Sequence, residues 1–204
     1  MTGSSGGLGK ELVKLVYQRN AKVYIAARSE TKARAAIKEI QEAYPDSRGQ
    51  LEYLYLDLSD LTTIRGSAQD FLKKEHRLDV LWNNAGVMMP PQGSKTAQGW
   101  ELQLGVNTIG TLLFTEQLHA VLGTTAHAAP KNSVRVVWVS SGSAMTAPTP
   151  AVDFTNMDYK RDESSYMKYS RSKAGNVIHS AEFARRAAGE GIVTIVRPSF
   201  PIAK

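Results

Sequence analysis

Hydrophobic residues in this chain recur in two rhythms that alternate along its length. Dense apolar runs of five or six residues occur at 22–27 (KVYIAA), 51–56 (LEYLYL), 78–82 (LDVLW), 134–139 (VRVVWV) and 192–196 (IVTIV). Runs of this length, rich in β-branched and aromatic side chains, predict strands buried on both faces of a parallel sheet. Longer stretches between them carry helical spacing. They predict helices over 8–19, with Leu8, Leu12, Leu15 and Val16 on one face, over 30–44, from 59 or 60 to 75, over 96–122 and over 163–188. Pro45-Asp46 ends the second helix, Ser59 or Asp60 caps the third, and Gly105 and Gly110 interrupt the fourth. A Gly/Ser loop opens the chain and a Pro-rich loop covers 147–162. Regular strand–helix alternation predicts an α/β fold, a doubly wound parallel sheet in a three-layer αβα arrangement, with one domain over 1–204.

Composition narrows the function classes more than the fold. With 42% hydrophobic and 22% charged residues in 204, the chain has the balance of a globular domain, which excludes disorder, collagen and coiled coil. The absence of cysteine excludes disulfides, thiolate zinc sites and a cysteine nucleophile, and it fits a reducing, cytoplasmic setting. No apolar run approaches the roughly 18 residues of a membrane helix, and the first seven residues lack the apolar core of a signal peptide. The net charge of +6 raises the question of nucleic acid, but the basic residues are scattered. Their densest pairs, Lys73-Lys74, Lys160-Arg161 and Arg185-Arg186, form no stripe interleaved with aromatics, so no nucleic-acid partner is expected. An anionic small ligand suits the same excess. The four histidines, His76, His119, His127 and His179, show no ligand-like clustering, and no metal site is expected.

Three loops carry candidate chemistry. Gly3-Ser4-Ser5-Gly6-Gly7-Leu8-Gly9 lies directly before a helix, where glycines let backbone amides approach a pyrophosphate at the positive end of the helix dipole. Its Gly-x-x-x-Gly-x-Gly spacing departs from the common dinucleotide fingerprint, and a flexible leader has the same composition. Asp57 and Asn84-Ala85-Gly86 follow strands, where open α/β sheets bind ligands. A carboxylate there can accept from an adenine amino group, and a small Ala-Gly pair lets backbone approach a ribose. The strand over 22–27 ends in Ala27-Arg28-Ser29, a cation and a hydroxyl that suit a ribose 2′-phosphate and so NADP(H) over NAD(H).

Tyr169 and Lys173 stand four apart in a predicted helix and share a face. An ammonium beside a phenol favours the phenolate, so the tyrosine can give a proton to a carbonyl oxygen or take one from an alcohol. Ser141, at a strand end, can hydrogen-bond that carbonyl, and Asn107 can anchor a water chain behind Lys173. Read singly, Ser141 is equally a loop cap and Asn107 a helix kink.

Taken together, Thr2 to Gly9, Asp57-Leu58, Asn83-Asn84-Ala85-Gly86, Asn107, Ser140-Ser141 and Tyr169-Ser170-Arg171-Ser172-Lys173 resemble the short-chain dehydrogenase/reductase family. The segments 152–159 and 173–176 look most like its retinol-dehydrogenase-like fungal branch. The resemblance implies a Rossmann-type fold and an oxidoreductase acting on a small ketone, aldehyde or alcohol, with catalytic Asn107, Ser141, Tyr169 and Lys173. It further implies an NADP(H) site built from Gly3, Ser5, Gly7, Leu8, Gly9, Arg28, Asp57, Asn84, Ala85, Gly86, Tyr169 and Lys173, and homo-oligomers formed through the helices over 96–122 and 163–188. The family places an apolar strand before Thr2, where only Met1 stands, and continues past 204 from a Pro-Gly that is Pro198-Ser199 here. The expectation is therefore a domain lacking its first strand and its C-terminal strand and substrate segment. A central strand's burial is worth on the order of 8–15 kcal/mol, comparable to a whole domain's stability. A catalytically silent relative, unstable or acting only through interaction, is the competing expectation.

Overall fold

The computed structural model describes residues 1–199, and the expected break at 200–204 lies outside them. Five parallel strands alternate with helices, as the apolar runs predict. In order these are α1 (Gly7–Tyr17), β1 (Lys22–Ala27), α2 (Glu30–Ala43), β2 (Gln50–Tyr55), α3 (Leu61–Leu72) and β3 (Val80–Asn83), then α4 (Leu102–Leu104), α5 (Thr111–Gln117), α6 (His119–Ala128), β4 (Val134–Ser141), α7 (Ser165–Arg186) and β5 (Ile192–Ser199). The strands form two ladders, β2–β1 and β3–β4–β5. The opening residues join them: Thr2 bridges Ala26 in parallel, and its N–H donates to Trp82 O at 2.9 Å.

Both faces of β1 are covered, which is why its pattern is a continuous run. Val23, Ile25 and Ala27 pack with Val13 and Tyr17 of α1 and Ala33 and Ile40 of α2. Tyr24 and Ala26 join the larger cluster with Ile64 and Phe71 of α3, Phe114, Leu118, Val136 and Trp138. Asp60 and Ser29 cap α3 and α2 through their side chains.

Two helix expectations need correction. The inner face of α1 is Gly9, Val13 and Tyr17, while Leu8 and Leu15 are exposed. Gly9 sets that face, because the helix approaches the opening loop there more closely than any side chain permits. The single helix over 96–122 is instead α4, a π-helical turn at Gly105–Gly110, then α5 and α6 separated at Leu118. Glu101 caps Leu104 N–H, and at Gly110 a methyl would meet Leu58 O at 2.5 Å, so the glycines mark tight packing as well as a break. The start of α7 is set by Ser164, whose Oγ accepts from Met167 N–H, two residues beyond the expected boundary. Among the described residues no helix is long and apolar enough to cross a membrane.

Candidate active site

The opening loop is not a floppy leader. Gly3 and Gly7 hold φ of +63° and +54°, conformations that favour glycine, and lead into the N-terminus of α1. Asn84 fixes the loop from across the sheet, its Nδ2 donating to Thr2 O (3.1 Å) and Gly3 O (3.2 Å). Thr2 Oγ1 in turn accepts from the backbone N–H of Asn84 (3.0 Å) and Ala85 (2.9 Å). The fit leaves no room for added atoms: a methyl on Gly9 would lie 2.6 Å from Asn84 Nδ2, and one on Gly3 would lie 2.7 Å from Ala85 Cα. Gly9→Ala is therefore expected to cost about 1–3 kcal/mol, about 5 °C in Tm for a chain of this size. It should also weaken dinucleotide binding at least tenfold, read by thermal melting and ligand titration.

These residues line one open cavity of about 590 Å³. Around it stand Gly3, Ser5, Gly7, Leu8 and Gly9 from the loop, Arg28 after β1, Asp57 after β2, and Asn84, Ala85 and Gly86 after β3. All lie at the carboxyl ends of strands or at the start of α1. Asp57 Oδ1 accepts from Ser59 N–H (2.9 Å) and Ser59 Oγ (2.6 Å), which orients the carboxylate. Lys32 lines the same wall as Arg28, one turn into α2. It was not read from the sequence, although its spacing of four from Arg28 across the Ser29 cap is a usable signal.

Gly86, on the cavity's lining, is where the catalytic candidates approach it. A methyl placed there would lie 3.1 Å from Asn107 Oδ1 and 3.2 Å from Lys173 Nζ, so three separate elements converge on this glycine. Asn107 sits in the π-helical turn, fully buried, and brackets Val87: its Oδ1 accepts from Val87 N–H (2.8 Å) and its Nδ2 donates to Val87 O (2.9 Å) and Ser172 Oγ (2.9 Å). The extra residue of a π turn redirects this side chain inward.

Along α7, Tyr169, Ser172 and Lys173 are all buried. Ser140 Oγ donates to Lys173 O at 2.7 Å and pins the helix to the end of β4. Lys173 Nζ donates to Val139 O at 2.9 Å and lies 5.9 Å from the centre of the Tyr169 ring. Burial lowers the Lys173 pKa to about 8. Ser141 is the last residue of β4 and caps the 3-10 turn that follows, its Oγ accepting from Ser143 N–H at 3.2 Å. Buried Asn107 and Lys173 thus converge beneath the exposed Gly86, Tyr169 lies one helical turn from Lys173, and Ser141 is two residues beyond the lysine's carbonyl partner.

A doubly wound sheet with a glycine loop at a helix N-terminus and a buried Tyr/Lys pair beyond it defines a nucleotide-binding oxidoreductase class. Residues 1–153 match the family model described as short chain dehydrogenase, and the chain belongs to the short-chain dehydrogenase/reductase family. It is 55% identical over 197 residues to the short-chain dehydrogenase/reductase pkfC of Emericella nidulans, covering 96% of this chain and 63% of that protein. Retinol dehydrogenase 11 of Mus musculus is 38% identical over 194 residues, covering 95% of this chain and 58% of the mouse protein. The chain spans 58–64% of the length of the curated relatives it matches. Among solved structures, the RhlG/NADP active-site complex of Pseudomonas aeruginosa superposes with a TM-score of 0.74 at 28% identity, over 98% of this chain and 71% of that one. A metagenomic short-chain oxidoreductase, at 23% identity and a TM-score of 0.71 over 96% of this chain and 78% of its own, shares the fold.

Proposed function

We propose that this chain carries the site of an NADP(H)-dependent oxidoreductase that interconverts a carbonyl and an alcohol on a small apolar substrate. The observation that carries the reading is the convergence of Asn107 and Lys173 on Gly86, which itself lines the glycine-loop cavity. The cavity fits a dinucleotide on its own chemistry: amides of the 3–9 loop face a pyrophosphate, Asp57 presents a fixed carboxylate, and Arg28 with Lys32 supplies two cations. Nicotinamide supplies or accepts the hydride. Tyr169 gives the carbonyl oxygen its proton, Ser141 Oγ donates a hydrogen bond to that oxygen, and Lys173 stabilises the phenolate left behind. Asn107 holds the Val87 backbone and the Ser172 hydroxyl, keeping the lysine's surroundings fixed. Met88, after Gly86, and Met145, in the 3-10 turn after Ser141, are both exposed and favour an apolar substrate. The NADP in the RhlG complex supports the same cofactor.

Arg28 and Lys32 decide the cofactor. A charge-assisted contact to a 2′-phosphate is worth roughly 1.5–3 kcal/mol. Arg28→Ala with Lys32→Ala should therefore raise the Kd for NADPH by about 10–100-fold while leaving NADH within about twofold, measured by fluorescence titration. Equal losses for both cofactors would remove NADP(H) preference from the reading. A chain that binds NADPH yet turns over no carbonyl would be the silent relative.

A further inference from the structure

Gln103 is fully buried, yet it belongs neither to the lining of the cofactor cavity nor to the Tyr169–Lys173 pair. A carboxamide shut away from water needs partners at both ends, and this one has them. Its Oε1 accepts from Met89 N–H at 2.9 Å, and its Nε2 donates to Ser165 O at 3.0 Å and to Glu101 Oε1 at 3.3 Å. Asn107, four residues on, repeats the pattern by joining Val87 to Ser172. Further out, Gln92 Nε2 reaches the Asp162 carboxylate at 2.8 Å. The segment 87–92 is therefore tied to α7 and its approach at three points: Val87 to Ser172, Met89 to Ser165, and Gln92 to Asp162. These ties hold an unfavourable backbone. Met89 has φ of +46°, a left-handed conformation rare for a long side chain, and such strain persists only where the surroundings over-determine it. What the strained segment displays is apolar. Met88 and Met89 are both half exposed, one and two residues beyond Val87, which lines the cofactor cavity. Thioether side chains kept in solvent at a fixed place beside a site are a ready contact for an apolar ligand.

We propose that Gln103 is a positioning residue for substrate selection: through the Met89 backbone it holds the Met89 side chain, beside Met88, as an apolar wall that favours substrates with a chain of several carbons beyond the reacting group. That the ligand is a carbonyl or an alcohol rests on the proposed function; that the loop is held for contact rests on Gln103 and Met89 alone. Without the Gln103 acceptor, Met89 N–H loses its partner inside the protein, and the residue relaxes to an ordinary backbone conformation that carries its side chain away. Asn107 cannot take over, because its carboxamide is already committed to Val87 and Ser172.

The test reads binding rather than turnover, in the 204-residue chain saturated with NADPH, where an alcohol forms a complex that cannot react. Titration calorimetry compares 1-octanol with 1-propanol. The unsubstituted chain should bind octanol at least about tenfold more tightly, a modest share of what the extra methylenes can give when buried. Gln103→Met keeps the side-chain length and removes the acceptor. It should cut that preference by about threefold to tenfold, speed amide exchange at Met89 at least about tenfold, and leave the Kd for NADPH within about twofold. Met89→Gly keeps the bond to Gln103 and suits the positive φ, so it should cut the octanol preference by a similar factor with no loss of Tm. Adding Gln103→Met to Met89→Gly should lower the preference by less than about a further twofold, because the side chain to be positioned is gone. The proposal fails if the unsubstituted chain shows no octanol preference, if Met89→Gly retains it in full, or if the two substitutions multiply their losses as independent structural damage would. Should Gln103→Met not fold, Met89→Gly alone decides. A chain that prefers octanol through Met89 and yet reduces no aldehyde would overturn the proposed function and leave the wall standing.

Discussion

Tyr169→Phe is expected to lower carbonyl turnover by about 10²–10⁴-fold while leaving the Kd for NADPH within about threefold. The magnitude is that of a positioned general acid. The sparing of binding and fold follows from where the hydroxyl sits. Tyr169 is buried in α7, whose position is held by neighbours that the substitution leaves intact: Ser172 Oγ donates to Tyr169 O at 2.7 Å, and Ser140 Oγ donates to Lys173 O at 2.7 Å. The ring keeps its packing, and the glycine-loop cavity does not include it. Steady-state kinetics with fluorescence titration separates the two effects. A variant that keeps more than a tenth of wild-type turnover would remove Tyr169 from the proton step.

Lys173→Met should abolish turnover and yet stabilise the cofactor-free chain at pH 7, by about 1–3 kcal/mol. Lysine in the unfolded chain titrates near 10.5, and burial lowers Lys173 to about 8 in the fold. Between those values the unfolded chain holds the proton that the folded chain has released, so stability rises with pH from about 8 to 10.5. Below 8 both states are protonated and the full cost of a buried ammonium remains, about 3 kcal/mol at ~1.4 kcal/mol per unit. The lost hydrogen bond to Val139 O subtracts little, because Asn176 Nδ2 also donates to that carbonyl at 3.1 Å. Urea melts of both proteins across pH 7 to 10.5 should show the advantage of the variant shrinking toward zero. An advantage that grows with pH would invert the assignment. The effect places Lys173 among residues held at a cost to stability for the sake of a site.

The strands were legible as dense apolar runs; β1, covered on both faces, falls at Lys22–Ala27 as read, whereas β2 alternates buried and exposed positions and β5 keeps Ile195 exposed. That the residues proposed for the cofactor line one cavity was legible because they sit at strand ends, positions that the alternation itself locates. What escaped was set by tertiary packing. The helical period of α1 offered Leu8, Leu12, Leu15 and Val16, but contact of Gly9 with Asn84 and the loop turned Val13 and Tyr17 inward. The π-helical turn around Asn107 is invisible to a 3.6-residue period and arises where Gly105 and Gly110 allow close approach. Thr2 and Asn84 stood in the motif, but their mutual hydrogen bonds across the sheet have no signature in spacing.

The central proposal is that NADPH held in this cavity would supply hydride to a carbonyl carbon while Tyr169 supplies the proton to its oxygen. The most direct measurement incubates the chain at pH 7 with NADPH deuterated at the transferable C4 position and a medium-chain aldehyde, and reads the alcohol by mass spectrometry. The account predicts one deuterium per alcohol, on the carbinol carbon, with label transfer lost in Tyr169→Phe. Saturable NADPH binding with no labelled alcohol from any apolar aldehyde or ketone would contradict it.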